Sequence, residues 1–593
     1  MSLDSWNQVA GVVSGVLALV GGVAAVRRHQ RGRAERGWWT ALRPLWQHQH
    51  AERMLHPHRF GRGPVRPLAQ VYVPRRAVPR LDPAGGEVDV ARLLTGTGHV
   101  LLLGELGSGK SALVRQACTD SARRWLAGRG RLRRTGAGPV VLSLPAAALV
   151  DQALPAALRA AYREVCPGLD VTRPPARGRV WLVCVDGVDA VTDPDDRGRV
   201  LNRLADAART GGPETTGPRP WRVLVTTRQL AGTELAVLRD YQAHHLVPFT
   251  DADVALLASR WFPTGGTAAA FLRWLRDQRI DEPVRNPLTA TIAALVWDNE
   301  WAGSIPGTGP AALLEGFVAA LLAGGRATLE AVAGRLRATP GGEPLAAWLT
   351  THQPELVEVA AIAARDGHDP VDAAVAWSAR HAPGPPAGIE PDWAGQVRAV
   401  LLATGLFREP RADERSGSGD PAALLPAGAG LLDYLAAGPL ADDWREDRWI
   451  AAMTTTGDRG LGLYALTRVA TAPDFLQRMA AQGPAGAVSA GYALAAGQPV
   501  ADAVRAEVLA ALLTHWSAHP TTTDPGTDPD ADPARECLSL LITLAAVRST
   551  RELLRRIGTD PQRPRVVREA AALFFAVRQQ TAGRVRPGAD VAG

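Results

Sequence analysis

The sequence contains one lysine, Lys110, although lysine and arginine together number 66. Arginine presents a wide planar fork, whereas lysine carries a compact charge on a flexible stem. A confined anion-binding site therefore has room for lysine and not for arginine. We interpret this single exception in an arginine-rich chain as a chemical requirement at Lys110.

Cysteine is also scarce, with four residues and no CxxC pair. This spacing indicates neither a disulfide framework nor a zinc knuckle, and it fits a reducing compartment. The apolar content of 46% excludes wholesale disorder, and 593 residues suffice for several domains. The cysteines are Cys118, Cys166, Cys184 and Cys537.

Charge is absent from the apolar run Val9–Val26, which is followed at once by Arg27 and Arg28. A cleavable signal peptide would carry its positive charge before the run. The pattern therefore predicts a single-pass anchor in the cell membrane, with the N-terminus outside and the bulk of the chain cytoplasmic. A buried or amphipathic N-terminal helix is the alternative.

The net charge of +7 is unevenly distributed. The segment 27–80 has 13 arginines and two acidic residues, so it carries +11 and the rest of the chain carries −4. This predicts contact with anionic lipid headgroups, with Trp38, Trp39 and Trp46 at the membrane interface. Nucleic acid is not favoured, because no base-stacking module accompanies the charge. Two HxH pairs in the same segment could bind a metal, but no cysteine or carboxylate cluster completes a site, so a solvated linker is favoured; the pairs are His48 with His50 and His56 with His58.

A glycine-rich loop stands between a strand and a helix. The apolar run from His99 to Gly104 predicts a short buried strand, GELGSGKS follows, and helical spacing continues to Trp125. In this GxxxxGK[ST] motif the backbone N–H groups surround phosphates, Lys110 reaches the terminal phosphates and Ser111 ligates Mg²⁺. The predicted residues for binding ATP or ADP are Gly104, Glu105, Leu106, Gly107, Ser108, Gly109, Lys110, Ser111 and Ala112.

Three further strands are predicted, at 139–144, 179–190 and 222–228. The second ends in two aspartates, of which we assign Asp186 to the Mg²⁺ site, and Arg228 at the end of the third is placed to sense the terminal phosphate. The alternatives are an aspartate in a surface turn and a solvated loop arginine. Together these elements predict an α/β P-loop NTPase core, a parallel sheet flanked by helices.

In order and spacing, these segments resemble a NACHT-type NTPase of the STAND class of signalling ATPases. VCVDGVDA resembles the family's Walker B segment, VLVTTR its sensor 1 strand and LLDYLAAGPL the EYLAA-containing helix of its winged-helix region. RNPL resembles the element whose proline packs near the adenine, so the resemblance gives Pro287 that role. VYVP (71–74) and LVPFTDADVALLASRWF (246–262) resemble the segments on either side of the family's core.

Two positions depart from the family pattern. Ala190 stands where the family has a glutamate, which leaves Asp189 to orient the attacking water and predicts slow hydrolysis. The histidine that holds the diphosphate of the resting state aligns with Gly428. Asp186, Asp189 and Arg228 are thus the predicted catalytic residues, and Ser111 and Asp186 the predicted metal ligands.

The apolar and charge patterns, together with the resemblance over about residues 65–440, predict six regions: an anchor (1–30), a basic linker (31–90), the NTPase core (91–245), a helical subdomain (246–345), a winged-helix-like region (346–445) and a helical, sensor-like C-terminal region (446–593). RAEVLAALLTHW and ARECLSLLITLAAV in the last region have helical spacing, without a strict repeat. The Asp/Pro-rich stretch 519–533 is a flexible linker rather than a calcium loop.

The implied function is a membrane-tethered nucleotide switch that forms homo-oligomers when an unknown protein trigger acts. In bacterial relatives this architecture is associated with defence against phage. Two other classes remain open: an AAA-like ATPase that remodels a membrane-side client, and a membrane scaffold that nucleotide merely stabilises. A transport ATPase of the ABC type is disfavoured, because no LSGGQ-like signature is present.

Overall fold

The structure is a computed structural model. It describes residues 40–51, 66–80, 86–105, 107–127, 138–175, 179–191, 193–209, 220–228, 232–299, 305, 310–384, 392–409, 424–426, 429–455, 458–469, 471–518, 533–545 and 548–584. Several predictions concern residues outside these ranges: the anchor Val9–Val26, the interfacial Trp38 and Trp39, His56 and His58, Leu106, Gly428 and most of the linker 519–533.

A seven-stranded, mostly parallel sheet forms the centre of the N-terminal half. The strands are β1 (Arg76–Pro79), β2 (Val88–Asp89), β3 (His99–Leu103), β4 (Val140–Pro145), β5 (Trp181–Asp186), β6 (Trp221–Thr227) and β7 (Tyr241–Leu246). Their order is β2-β1-β7-β3-β6-β5-β4, and only the pairs that involve β1 are antiparallel. All four predicted strands are confirmed; β1, β2 and β7 were not predicted.

Both faces of the sheet are buried, which explains why its strands read as continuous apolar runs. Leu101 and Leu103 of β3 face one hydrophobic cluster, and Val100 and Leu102 face another. The helices around the sheet are α1 (40–51), α2 (Leu68–Val71), α3 (Val90–Thr95), α4 (Lys110–Ala127), α5 (Leu154–Ala161), α6 (Pro194–Arg209) and α7 (Gly232–Val237).

Trp46 does not lie at a membrane interface, so that prediction is wrong. Its side chain is fully buried and stacks on Trp125, with ring centroids 5.4 Å apart. The side chain of Gln49, also on α1, donates to the carbonyl of Val141 at 2.9 Å. Because β1 and β2 join the sheet as well, whereas Val71 and Val73 pack in the hydrophobic cluster of the middle helices, the described parts of segment 31–90 are built into the fold and are not a solvated linker.

Among its described residues, the middle of the chain is helical except for a two-stranded ladder, β8 (Phe407–Arg408) with β9 (Leu425–Pro426). Its helices are α8 (Asp251–Trp261), α9 (Gly265–Asp277), α10 (Pro287–Asp298), α11 (Pro310–Gly324), α12 (Arg326–Arg337), α13 (Glu343–Thr351), α14 (Gln353–Arg365), α15 (Pro370–His381), α16 (Trp393–Ala403), α17 (Ala429–Leu435) and α18 (Gly438–Asp442). One hydrophobic cluster joins α8 to α17, so these helices share a core.

The described part of the C-terminal region is entirely helical. It consists of α19 (Glu446–Thr454), α20 (Arg459–Arg468), α21 (Phe475–Ala480), α22 (Pro484–Ala495), α23 (Asp502–Ala518), α24 (Pro533–Ala545), α25 (Arg548–Thr559) and α26 (Arg565–Arg584). The two helices predicted from spacing are confirmed as α23 and α24. Their buried leucines, including Leu509, Leu512 and Leu541, lie in one cluster.

Within the described ranges, no single helix is both long enough and apolar enough to cross a membrane. The consecutive helices α11 and α12 are long and apolar enough only when taken together, and a bend of 47° separates them.

Candidate functional site

The predicted site residues meet at one edge of the sheet. Strands β3, β5 and β6 are parallel, so their carboxyl ends lie side by side. Leu103 pairs with Thr227, and Asp186 pairs with Thr226. The register therefore brings the glycine-rich loop, Asp186 and Arg228 together at the place where an open α/β sheet binds its ligands.

The glycine-rich loop is shaped by two glycines in the left-handed region. Gly107 has φ +75° and Gly109 has φ +86°. A Cβ at Gly107 would lie 2.5 Å from Oδ1 of Asn286 and 2.7 Å from Cβ of Leu288. The backbone N–H of Leu288 donates to the carbonyl of Gly107 at 3.1 Å. The RNPL element thus packs directly on the loop, and Pro287 begins helix α10 beside Gly109.

Replacing Gly107 with alanine is expected to lower the apparent free energy of unfolding by about 1–3 kcal/mol, because alanine disfavours positive φ and its methyl group would displace Asn286. The matched control is Gly198→Ala in helix α6, where an added Cβ meets nothing within 4 Å. That change should stabilise the chain by about 0.5–1 kcal/mol. Denaturant unfolding measures both; equal effects in the two variants would contradict the strain at Gly107.

Lys110 begins helix α4, and its Nζ bends back over the loop. It donates to the carbonyl of Gly104 at 2.7 Å and to that of Glu105 at 3.1 Å. Burial lowers the pKa of Lys110, and Arg228 adds to this effect, whereas Asp189 opposes it. The loop therefore holds a desolvated cation, whose charge an anion in the loop would stabilise.

The residues present fit the phosphates and the Mg²⁺ ion that the motif implies. The first N–H groups of α4 have no carbonyl one turn earlier, so they offer donors at its N-terminus, where Ser111 and Ala112 lie. The hydroxyl of Ser108 is buried and has no partner among the described residues. Asp186 accepts a hydrogen bond from the hydroxyl of Thr226. Ser111 and Asp186 would hold the ion.

Arg228 is not solvated. Its Nε lies 2.8 Å from Oδ2 of Asp189, and its backbone N–H donates to Oδ1 of the same residue at 3.2 Å. The Nη2 of Arg228 donates to Oδ2 of Asp433 in helix α17, also at 3.2 Å. Arg228 thus bridges the end of β5 and the helix that resembles the winged-helix motif. All three side chains are at most 11% exposed.

The ion pairs continue beyond Asp433. Arg365 of helix α14 lies 3.5 Å from Oδ1 of Asp433, and it also donates to Asp458, which precedes helix α20. Burial raises the pKa of Asp433, although both arginines oppose the shift. For Arg228, burial disfavours the cation, but Asp189 and Asp433 outweigh it and raise the pKa. We call Asp189, Arg228, Asp433, Arg365 and Asp458 the ion network.

Sequence reasoning missed Asp433, Arg365 and Asp458. The acidic residue of LLDYLAA was the one available signal, because it occupies the glutamate position of the EYLAA motif. Nothing in the sequence indicated that it would pair with Arg228, 205 residues away.

A cleft that is open to solvent adjoins the glycine-rich loop. Gly104, Glu105 and Ser108 line it on the loop side, and Pro287 and Asn286 line it on the RNPL side. Arg75 also lines it; its side chain is 4% exposed, and its Nε has no partner in the described part of the chain. Burial lowers the pKa of Arg75 to about 10. The end of β7, the segment 282–285 and the C-terminal helices complete the wall.

His245 lies at the junction between the sheet and the C-terminal helices. Its Nε2 is 3.2 Å from the hydroxyl of Ser539 in helix α24. Burial lowers the pKa of His245 from 6.5 to about 3, and Arg80 and His244 contribute to the shift. The unfolded chain therefore binds a proton near pH 6.5 that the folded chain takes up only near pH 3, and stability is lost as the pH falls through this window.

Acidification from about pH 7 to about pH 5 should lower the free energy of unfolding. His245 alone should contribute a loss of about 1.4 kcal/mol for each pH unit below the ordinary histidine pKa. In His245→Gln this contribution is absent, so the variant should show a shallower pH dependence. His368→Gln, at an exposed position, should follow the wild type. Denaturant unfolding at several pH values measures the slopes; parallel curves for wild type and His245→Gln would refute the assignment.

The sequence matches no model of a known protein family, and it matches no curated protein sequence. The site must therefore be interpreted from its own geometry.

Proposed function

We propose that the chain is an ATP-binding signalling NTPase of the NACHT type, tethered to the membrane, in which the bound nucleotide selects between two arrangements of the NTPase core and the helical regions. The observation that carries this proposal is the position of Arg228. This arginine directly follows strand β6, next to the strand that leads into the glycine-rich loop, and is ion-paired with Asp433 of helix α17.

A γ-phosphate would compete with Asp433 for Arg228. A nucleotide shifts a conformational equilibrium only through a difference in its affinity for the two states. ADP lacks the phosphate that would reach Arg228, so it leaves the pair with Asp433 intact. ATP offers Arg228 an alternative anion, which weakens the contact between β6 and α17. The structure with the Arg228–Asp433 pair formed then corresponds to the resting arrangement.

Hydrolysis in this proposal is slow. Ala190 supplies no carboxylate, and both oxygens of Asp189 are engaged by Arg228. Asp189 therefore orients water only after Arg228 has moved. Slow turnover suits a switch, because the lifetime of the ATP state then limits the duration of the signal.

Membrane tethering, activation by an unknown protein trigger and homo-oligomerisation in the open state belong to the same proposal, as does a role in defence against phage. They rest on the apolar run Val9–Val26 and on the resemblance to the family. Activation that leaves the oligomeric state unchanged would refute the clustering step.

The deciding experiment identifies the nucleotide that the full-length protein carries. The detergent-purified chain is denatured and the released nucleotide is identified by chromatography, with Lys110→Ala beside it. Stoichiometric ADP that is lost in the variant supports the resting switch. Bound ATP would instead indicate a chain that holds the active form, and no nucleotide in either protein would refute the proposal.

Turnover separates the proposal from a remodelling ATPase. The switch predicts hydrolysis well below the rates of ordinary enzymes, which are about 1 s⁻¹ or faster. Sustained turnover at such a rate, stimulated by a client protein, would favour the AAA-like alternative.

A further inference from the structure

The C-terminal helices form part of the candidate nucleotide cleft. The end of helix α22 and the turn after it contribute Leu494, Ala495, Ala496 and Gly497 to the lining. Helices α23, α24 and α25 add Arg505, Thr543 and Thr550. These side chains and the glycine-rich loop border the same cavity, so a nucleotide bound at the loop would be confined by them.

This C-terminal wall is attached to the RNPL side of the cleft by an ion pair. Arg505 of helix α23 donates to Oε1 of Glu282 at 3.3 Å and to Oε2 at 3.2 Å. It also donates to the hydroxyl of Ser549 at 3.1 Å. Arg505 is 9% exposed and bonds both carboxylate oxygens of Glu282, and this two-point geometry fixes the two side chains relative to each other. The guanidinium thereby joins two C-terminal helices to the segment that precedes RNPL.

A second contact lies beside the ion pair. Gly497 has φ +84°, and a Cβ there would lie 3.2 Å from Cα of Pro283. The turn after α22 therefore approaches the backbone next to Glu282 as closely as glycine allows. Together with the contact between His245 and Ser539, these interactions hold the C-terminal helices against the rest of the cleft wall.

We propose that the C-terminal helices gate nucleotide exchange: the wall formed by α22–α25 must separate from Glu282 and Pro283 before a nucleotide leaves, and Arg505 holds it closed. This inference rests on the proposed function, because it concerns the same cleft. It assigns the C-terminal region a direct part in the nucleotide site, so a trigger that displaces this region would release ADP.

The test is the release rate of a fluorescent ADP analogue from the full-length protein after addition of excess unlabelled ADP. Arg505→Gln and Glu282→Gln each remove the ion pair and should accelerate release roughly tenfold. Arg563→Gln is the matched control, because Arg563 pairs with Glu507 of the same helix α23 without reaching the core. Its release rate should equal that of the wild type.

Charge exchange distinguishes the gate from a general loss of structure. The double variant Arg505→Glu with Glu282→Arg should restore slow release, whereas either single reversal should not. Arg505→Gln replaces a buried side chain and can lower stability. Glu282 is about one-third exposed, so Glu282→Gln should break the same ion pair and leave the chain folded. Release at the wild-type rate from Glu282→Gln would overturn the inference. A wild type that binds no labelled ADP would overturn the proposed function itself.

Discussion

Replacing Lys110 with alanine is expected to weaken ATP and ADP binding by roughly 100-fold or more, equivalent to about 3 kcal/mol. The side chain of Lys110 lies over the glycine-rich loop, where its Nζ donates to the carbonyls of Gly104 and Glu105. The ammonium is a compact donor at the position where the terminal phosphates would lie. Its loss removes the strongest charge-assisted contact that the loop offers an anion.

The same substitution should leave the chain folded. Burial lowers the pKa of Lys110, so its charged form is disfavoured by the fold and not required by it. Thermal unfolding with and without nucleotide separates the two effects. A ligand at about 100 times its Kd stabilises the wild type by about 2.7 kcal/mol, and the variant should gain almost nothing at that concentration. An equal gain in both proteins would contradict the role of Lys110.

Lys110→Arg keeps the charge and tests the shape argument. The planar guanidinium needs more room than the ammonium. We expect the arginine variant to bind nucleotide far more weakly than the wild type, which would explain the single lysine of the chain. Wild-type affinity in this variant would show that charge alone suffices.

The parallel core was predictable because its strands are buried on both faces. A short, continuous apolar run such as HVLLL indicates a buried strand when a glycine-rich loop follows it directly. Strand β7 escaped prediction because YQAHHL carries glutamine and two histidines. Those histidines are buried by contacts with distant parts of the chain, among them Ser539, which the local sequence cannot reveal.

Trp46 shows how the same residue type serves two environments. A tryptophan in a basic segment fits a membrane interface, and it fits a hydrophobic core equally well. The deciding fact is the stacking partner Trp125, which lies 79 positions later in the chain. Sequence spacing contains no information about such a pair.

In the candidate site, too, some residues could be predicted from local sequence and others could not. Lys110 and Asp186 were predictable because their strands end at one edge of the sheet. The counter-ions of Arg228 and the C-terminal wall were not, since they arise from packing between regions far apart in sequence. The loop is thus specified locally, whereas the contacts that would make it a switch are specified by tertiary structure.

Removing Arg228 is expected to produce the largest loss of stability in the ion network. Arg228→Ala leaves Asp189 and Asp433 without their shared cation, and both carboxylates are at most 11% exposed. Breaking a buried ion pair by deleting one partner costs about 3–5 kcal/mol. Asp433→Asn is milder, because the amide fills the same space and carries no charge. The double variant should therefore be more stable than Arg228→Ala alone, which denaturant unfolding measures.

Asp433→Asn also tests the switch. With Asp433 neutral, Arg228 keeps its ion pair with Asp189 but no longer has to break one with helix α17 to meet a γ-phosphate. The variant should favour ATP over ADP by roughly 5–150-fold relative to the wild type, the usual range of coupling between two sites. Asp447→Asn is the control, since its ion pair with Arg445 is solvent-exposed and includes no member of the ion network. If Asp433→Asn leaves the ratio of the two affinities unchanged, Arg228 does not couple the phosphate to helix α17.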